Sequence, residues 1–91
     1  MLTPENEMSV ARCINLRNLI DEKREQIGEL EQDIEDLSAR VAVVERYAPP
    51  GVVPESRAKL VDKQRELEIA QKQLEDLLND FELSECRSIL S

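Results

Sequence analysis

Residues 48–54, Ala-Pro-Pro-Gly-Val-Val-Pro, decide the fold of this 91-residue chain, because they are its one strong interruption of helical sequence. A proline has no amide proton to donate, and it pushes the preceding residue out of helical geometry, so a helix must end near Ala48. Pro54 and Glu55 suit the first turn of a new helix, where a missing amide costs nothing and a carboxylate meets the positive helix end.

The N-terminal segment uses the same device, with Thr3 as the N-cap and Pro4 at the first helical position. We therefore predict a single helical-hairpin domain over residues 1–91. Its predicted parts are helix 1 at about 4–48, a Pro/Gly turn at 49–53, helix 2 at about 54–86, and a frayed or partner-bound tail at 87–91.

Apolar residues follow a strict 3,4 spacing on both sides of the turn, which is typical of a left-handed coiled coil. The predicted seam consists of Ile20, Ile27, Leu30, Ile34, Leu37, Val41, Val44, Leu60, Leu67, Ala70, Leu74 and Leu77. Lys23 and Lys63 also fall in the seam. Either their stems lie along apolar neighbours while the ammonium groups reach water, or they penalise competing registers.

Flanking charges favour an antiparallel hairpin over a parallel dimer, which would oppose Arg12 to Arg17. Folding about Gly51 predicts layers whose residue numbers sum to 104, and places attractive charges at Arg40–Glu66, Glu45–Arg57 and Arg17–Glu85. In that register the layers deteriorate away from the turn, because Lys23 faces Phe81 and Ile20 faces Ser84. The predicted fold class is all-α: a two-helix antiparallel coiled-coil hairpin.

Apolar residues outside the stripe gather at the end of the hairpin opposite the turn, here called the open end. Two helices alone cannot bury two faces, so we expect a second hairpin to cover this end and form a four-helix bundle, with a different protein as the competing partner. The predicted contact residues are Val10, Ile14, Leu19, Leu78, Phe81, Leu83, Cys86, Ile89 and Leu90.

Cys13 and Cys86 are too few for a disulfide framework, and we expect both to be reduced in the cytoplasm. A disulfide between them is conceivable, because their numbers sum to 99, near the hairpin register. Cys86, however, occupies an outward heptad position unless the helix shifts phase near Ser84.

Composition and net charge limit the partners, the location and the chemistry that we expect for this chain. A net charge of −8 disfavours nucleic acid and anionic membranes as partners, and no signal peptide or membrane span is evident, so we expect a cytoplasmic location. The chain has no histidine and no glycine-rich phosphate loop, and two cysteines alone cannot form a zinc site. We predict no enzymatic activity, no metal and no cofactor.

The predicted function is a coiled-coil protein–protein interaction module, a dimerising adaptor or scaffold. One alternative is an acidic inhibitor that occupies a basic site on a partner, such as a nucleic-acid groove, and that binds in a salt-dependent manner. A second alternative is a subunit of a larger helical assembly, which rests on fold-level analogy alone.

Overall fold

The computed structural model describes residues 4–49, 51 and 55–91, with side chains from residue 7 onward. It contains α1 (Pro4–Tyr47), α2 (Glu55–Leu83) and α3 (Cys86–Ile89). These residues include no β-strand, so the predicted all-α class is confirmed.

The Pro/Gly segment separates the two long helices as predicted. The last helical hydrogen bond of α1 runs from the Ala48 amide to the Val44 carbonyl at 2.8 Å. Gly51 has a φ of 88°, a left-handed conformation that costs glycine little. The predicted N-cap Thr3 and the turn residues Pro50 and 52–54 lie outside the described part of the chain.

The chain doubles back on itself. Its extents are 71 × 15 × 15 Å, and the 44 residues of α1 alone span about 66 Å, so α2 must lie alongside α1. Arg57 pairs with Glu45 at 3.2 Å near the turn, while Cys13 bonds to Cys86 at the open end. The antiparallel hairpin is confirmed, as is the predicted Glu45–Arg57 pair.

The helices are displaced by about one heptad from the predicted register. Lys23 Nζ donates to Gln73 Oε1 at 2.8 Å, and Lys63 Nζ lies 3.7 Å from Asp33 Oδ2, so both pairs of residue numbers sum to 96. A sum of 104 would separate these partners by about 12 Å along the rod. Side chains lean toward the N-terminus of their own helix, so in that register they would also point apart.

A register sum of about 97 fits these contacts. It places Leu16 level with Phe81, in agreement with the packing of Phe81 against the cluster that contains Leu16. It also separates Arg40 from Glu66 along the rod, and the described residues contain no ion pair between these two residues. The predicted Arg17–Glu85 pair is also not formed among them, and Glu85 lies beyond the end of α2 at Leu83.

Packing at the open end is tighter than predicted, while Val41 toward the turn is buried as predicted. At the open end Cys13, Leu16, Ile20 and Cys86 are buried. Toward the turn, Val44 is exposed although it belongs to the predicted seam. The new register explains the difference, because it pairs Ile20 with Leu77 at the open end and moves Lys63 toward the turn, opposite Ile34. The predicted deterioration of the open end is therefore wrong.

Both seam lysines place their ammonium groups at the surface. Lys63 lies 3.6 Å from Glu66 as well as near Asp33, and Lys23 also donates to Gln26 at 2.9 Å. These contacts match the interpretation in which the stem follows apolar neighbours and the charged head reaches water.

Candidate interaction surfaces at the two ends of the rod

The chain breaks its helix at Ser84 and Glu85, immediately before Cys86. The Ser84 amide still bonds to the Asp80 carbonyl at 3.0 Å, and Glu85 then adopts a left-handed conformation with φ 55° and ψ 32°. A left-handed conformation is unfavourable for glutamate, so contacts elsewhere in the chain must stabilise it at Glu85. The break shifts the helical phase of the residues that follow it, so Cys86 faces the seam and not the outer side of the hairpin.

A disulfide joins Cys13 of α1 to Cys86 of α3, with 5.3 Å between the two Cα atoms. Both cysteine side chains are almost completely buried. The prediction of two reduced cysteines is therefore wrong. The reason is the break at Glu85, because a continuous helix would have kept Cys86 on the outer face.

The disulfide lies in a small core that closes the open end. Its buried members are Cys13, Leu16 and Cys86, and the partly buried residues packed against them are Leu77, Phe81, Ile89 and Leu90. The predicted frayed tail at 87–91 is thus partly ordered against the hairpin. The Leu90 amide bonds to the Cys86 carbonyl at 2.8 Å, and Arg87 pairs with Glu82 at 2.8 Å.

The predicted contact residues divide into three groups. Cys86 is 0% exposed, so its assignment to a partner surface is corrected: it lies inside the chain's own core. The half-buried group consists of Val10, Leu78, Phe81, Ile89 and Leu90. Ile14 and Leu19 are each 39% exposed and Leu83 is 82% exposed, which leaves these three open to a partner.

The predicted seam residues are mostly covered within the hairpin. Ile20, Leu30, Val41 and Ala70 are buried. The half-buried members are Ile27, Ile34, Leu37, Leu60, Leu67, Leu74 and Leu77. Partial exposure throughout the middle of the rod is expected of a two-helix seam, which has only one covering partner.

Sequence reasoning missed a second set of exposed apolar residues. Val43 is 59% exposed and Tyr47 is 78% exposed, one helical turn apart on α1 near the turn, and Ile69 of α2 is also exposed. These three residues could have been recognised in the sequence, because they are apolar residues on an otherwise polar face outside the heptad stripe. Apolar surface is therefore available to partners at both ends of the rod.

Two open depressions lie on the surface of the described residues. A groove of about 480 Å³ is lined by Asp33, Asp36, Leu37, Arg40, Lys59, Asp62, Lys63 and Glu66. A second, of about 450 Å³, lies beside the disulfide between Arg12 and Asp80. Among the described residues no three His, Cys, Asp or Glu side chains are grouped to hold a metal ion.

No family model, curated protein or solved structure matches the chain. Within the described ranges no helix combines the length and apolar character needed to cross a bilayer.

Proposed function

We propose that this chain is a non-enzymatic protein–protein interaction module, an adaptor or scaffold that associates with a second copy of itself. The observation that supports the proposal is a rod 71 Å long with large apolar side chains exposed at both ends. Exposed leucine, tyrosine and valine side chains on a well-ordered helix are typical of contact surfaces, and they gain most when a partner removes them from water.

The disulfide bears on where such a module works. Disulfides persist in oxidising compartments and are rare in the cytosol. The proposal therefore places the chain in an oxidising environment, in place of the cytoplasm that its two cysteines suggested when taken as reduced.

Sedimentation equilibrium over a wide range of protein concentration tests the self-association. We expect the oxidised wild-type chain to shift from monomer to dimer as its concentration rises, and Leu83→Asp to shift that transition to higher concentration. Asn79→Asp adds the same charge at an exposed position on the outer face of α2 and serves as the matched control. A wild-type chain that remains monomeric throughout the range contradicts the proposal.

A further inference from the structure

The described surface offers three features beyond a general tendency to associate: the disulfide core, the charged groove near the turn, and an uneven distribution of charge along the rod. The third carries an inference. Residues 38–59, the parts of the two helices that lie level with each other beside the turn, hold four Lys and Arg and two Asp and Glu, a net charge of +2, so the rest of the chain carries −10 and the whole chain −8. The turn end of the rod is positive and the rest is strongly negative.

We propose that a second copy docks in reverse orientation along one groove of the hairpin, so that the turn end of each copy meets the open end of the other. This inference rests on the proposed self-association and names its surface. Each copy supplies both halves of the contact, so a two-fold axis perpendicular to the rod satisfies both at once and gives a closed dimer.

The positive half of the contact lies near the turn. Arg40 and Val43 of α1 are exposed, and Lys59 of α2 lines the same groove as Arg40. Neither Arg40 nor Lys59 forms an ion pair within the described residues. The same groove also contains Asp36, Asp62 and Glu66, but neither cation is bonded to them, so both can pair with carboxylates of another molecule.

The negative half lies toward the open end, on the same side of the heptad pattern. Glu22 and Leu19 of α1 and Asp76 of α2 are exposed there, and none of the ion pairs among the described residues involves either carboxylate. Leu19 occupies the same heptad position as Arg40, and Glu22 the same position as Val43. Because a second hairpin that follows the supercoil stays in one groove, it contacts both halves.

Complementary residues lie opposite each other when the two copies are placed antiparallel. On facing α1 helices, Arg40 meets Glu22 of the second copy and Val43 meets its Leu19, because both pairs of numbers sum to 62. On facing α2 helices, the same superposition brings Lys59 close to Asp76. One placement thus supplies two attractive charge pairs and one apolar pair at each end of the dimer.

The middle of the contact opposes association in part. Glu29 meets Asp33 of the second copy in this placement, and Glu66 of α2 lies level with Glu66 of the second copy, so like charges meet close to the two-fold axis on both helices. Lys63, 3.7 Å from Asp33 within its own chain, offsets some of that repulsion. The favourable pairs therefore lie toward the two ends of the dimer, and charge reversal there is the decisive perturbation.

Charge reversal with rescue tests the inference in the oxidised full-length chain. Arg40→Glu with Lys59→Glu turns four attractive pairs of the dimer into repulsive ones, so we expect the dimer dissociation constant to rise by about tenfold or more. Adding Glu22→Lys and Asp76→Lys to the same chain restores attraction with the signs exchanged, and the dissociation constant should return toward that of the wild type.

The matched control is Arg65→Glu with Lys72→Glu, which changes the same net charge at exposed positions on the outer face of α2. We expect this control to dimerise within about threefold of the wild type, and circular dichroism should report unchanged helix content for every variant. A wild-type dimer that tolerates Arg40→Glu with Lys59→Glu overturns this placement and leaves the self-association standing. Absence of a wild-type dimer overturns both.

Discussion

Replacing Cys13 and Cys86 by alanine removes a covalent cross-link between residues that are 73 positions apart. In the chain-entropy model a 15-residue loop contributes about 3 kcal/mol and a 100-residue loop about 4.7 kcal/mol, so this loop contributes about 4.4 kcal/mol. Small domains unfold with about 0.05–0.15 kcal/mol per residue, or about 5–14 kcal/mol for a chain of this length. The disulfide therefore accounts for a third or more of the stability.

Urea unfolding followed by far-ultraviolet circular dichroism measures this contribution. We expect the double alanine variant to lose about 4 kcal/mol of unfolding free energy, and to show a larger dependence on urea because its unfolded chain is less compact. Alanine leaves no buried hydroxyl, so the loss reports mainly on the cross-link, with a smaller term for the sulfur atoms removed.

A reductant supplies the internal control for the same experiment. The wild-type chain treated with dithiothreitol should unfold at nearly the same urea concentration as the double alanine variant, whereas the variant itself should not respond to dithiothreitol. A difference below about 1 kcal/mol between the oxidised and reduced wild type would refute the argument that the cross-link dominates the stability of this hairpin.

Two further substitutions test the packing of the seam and the break before Cys86. Ala70 is buried where α1 and α2 meet, so Ala70→Leu, which adds three carbon atoms there, should lower the unfolding free energy in urea by about 1–3 kcal/mol. Ala58→Leu at an exposed position should be nearly neutral, and equal effects of the two substitutions would contradict the seam. Glu85→Gly should raise the unfolding free energy by up to about 1 kcal/mol, because glycine adopts φ 55° without strain. Glu75→Gly inside α2 should lower it by a similar amount, and a lower unfolding free energy for both variants would contradict the left-handed break.

The helix bounds beside the prolines could be predicted from the sequence because proline acts locally, whereas α2 ends at Leu83 and not at the predicted residue 86. Pro49 ends α1 and the predicted boundary differs from the observed one by a single residue, whatever the rest of the chain does. The membership of the seam was also accessible, since 3,4 spacing alone decides which side of each helix is apolar.

The register could not be predicted because the predicted Glu45–Arg57 charge pair fits more than one register. The numbers of Glu45 and Arg57 sum to 102, which is two residues from level in a register of 104 and five residues from level in one of 97, and two long side chains can span either offset. Two long-range contacts, those of Lys23 with Gln73 and of Lys63 with Asp33, distinguish the registers. Neither contact was predicted from the flanking-charge pattern, because both involve lysines inside the seam.

The core at the open end escaped prediction for a different reason. Glu85 has no intrinsic preference for a left-handed conformation, so no local rule places a helix break there. The break is favoured only once Cys86 meets Cys13 and the residues that follow pack against the cluster of Cys13, Leu16 and Cys86. A feature stabilised by contacts between the two ends of a chain has no signature in either end alone.

Peptide mapping without reduction tests the central claim, the covalent closure of the hairpin between Cys13 and Cys86. Tryptic cleavage after Arg12, Arg17, Lys72 and Arg87 isolates the two cysteines in peptides 13–17 and 73–87. Protein alkylated at the moment of cell lysis should yield these two peptides joined by one disulfide. In an equal mixture of isotopically labelled and unlabelled protein, unfolded and reoxidised together, the joined peptides should never mix labels. Alkylated cysteines, or joined peptides of mixed label, would contradict the closed hairpin.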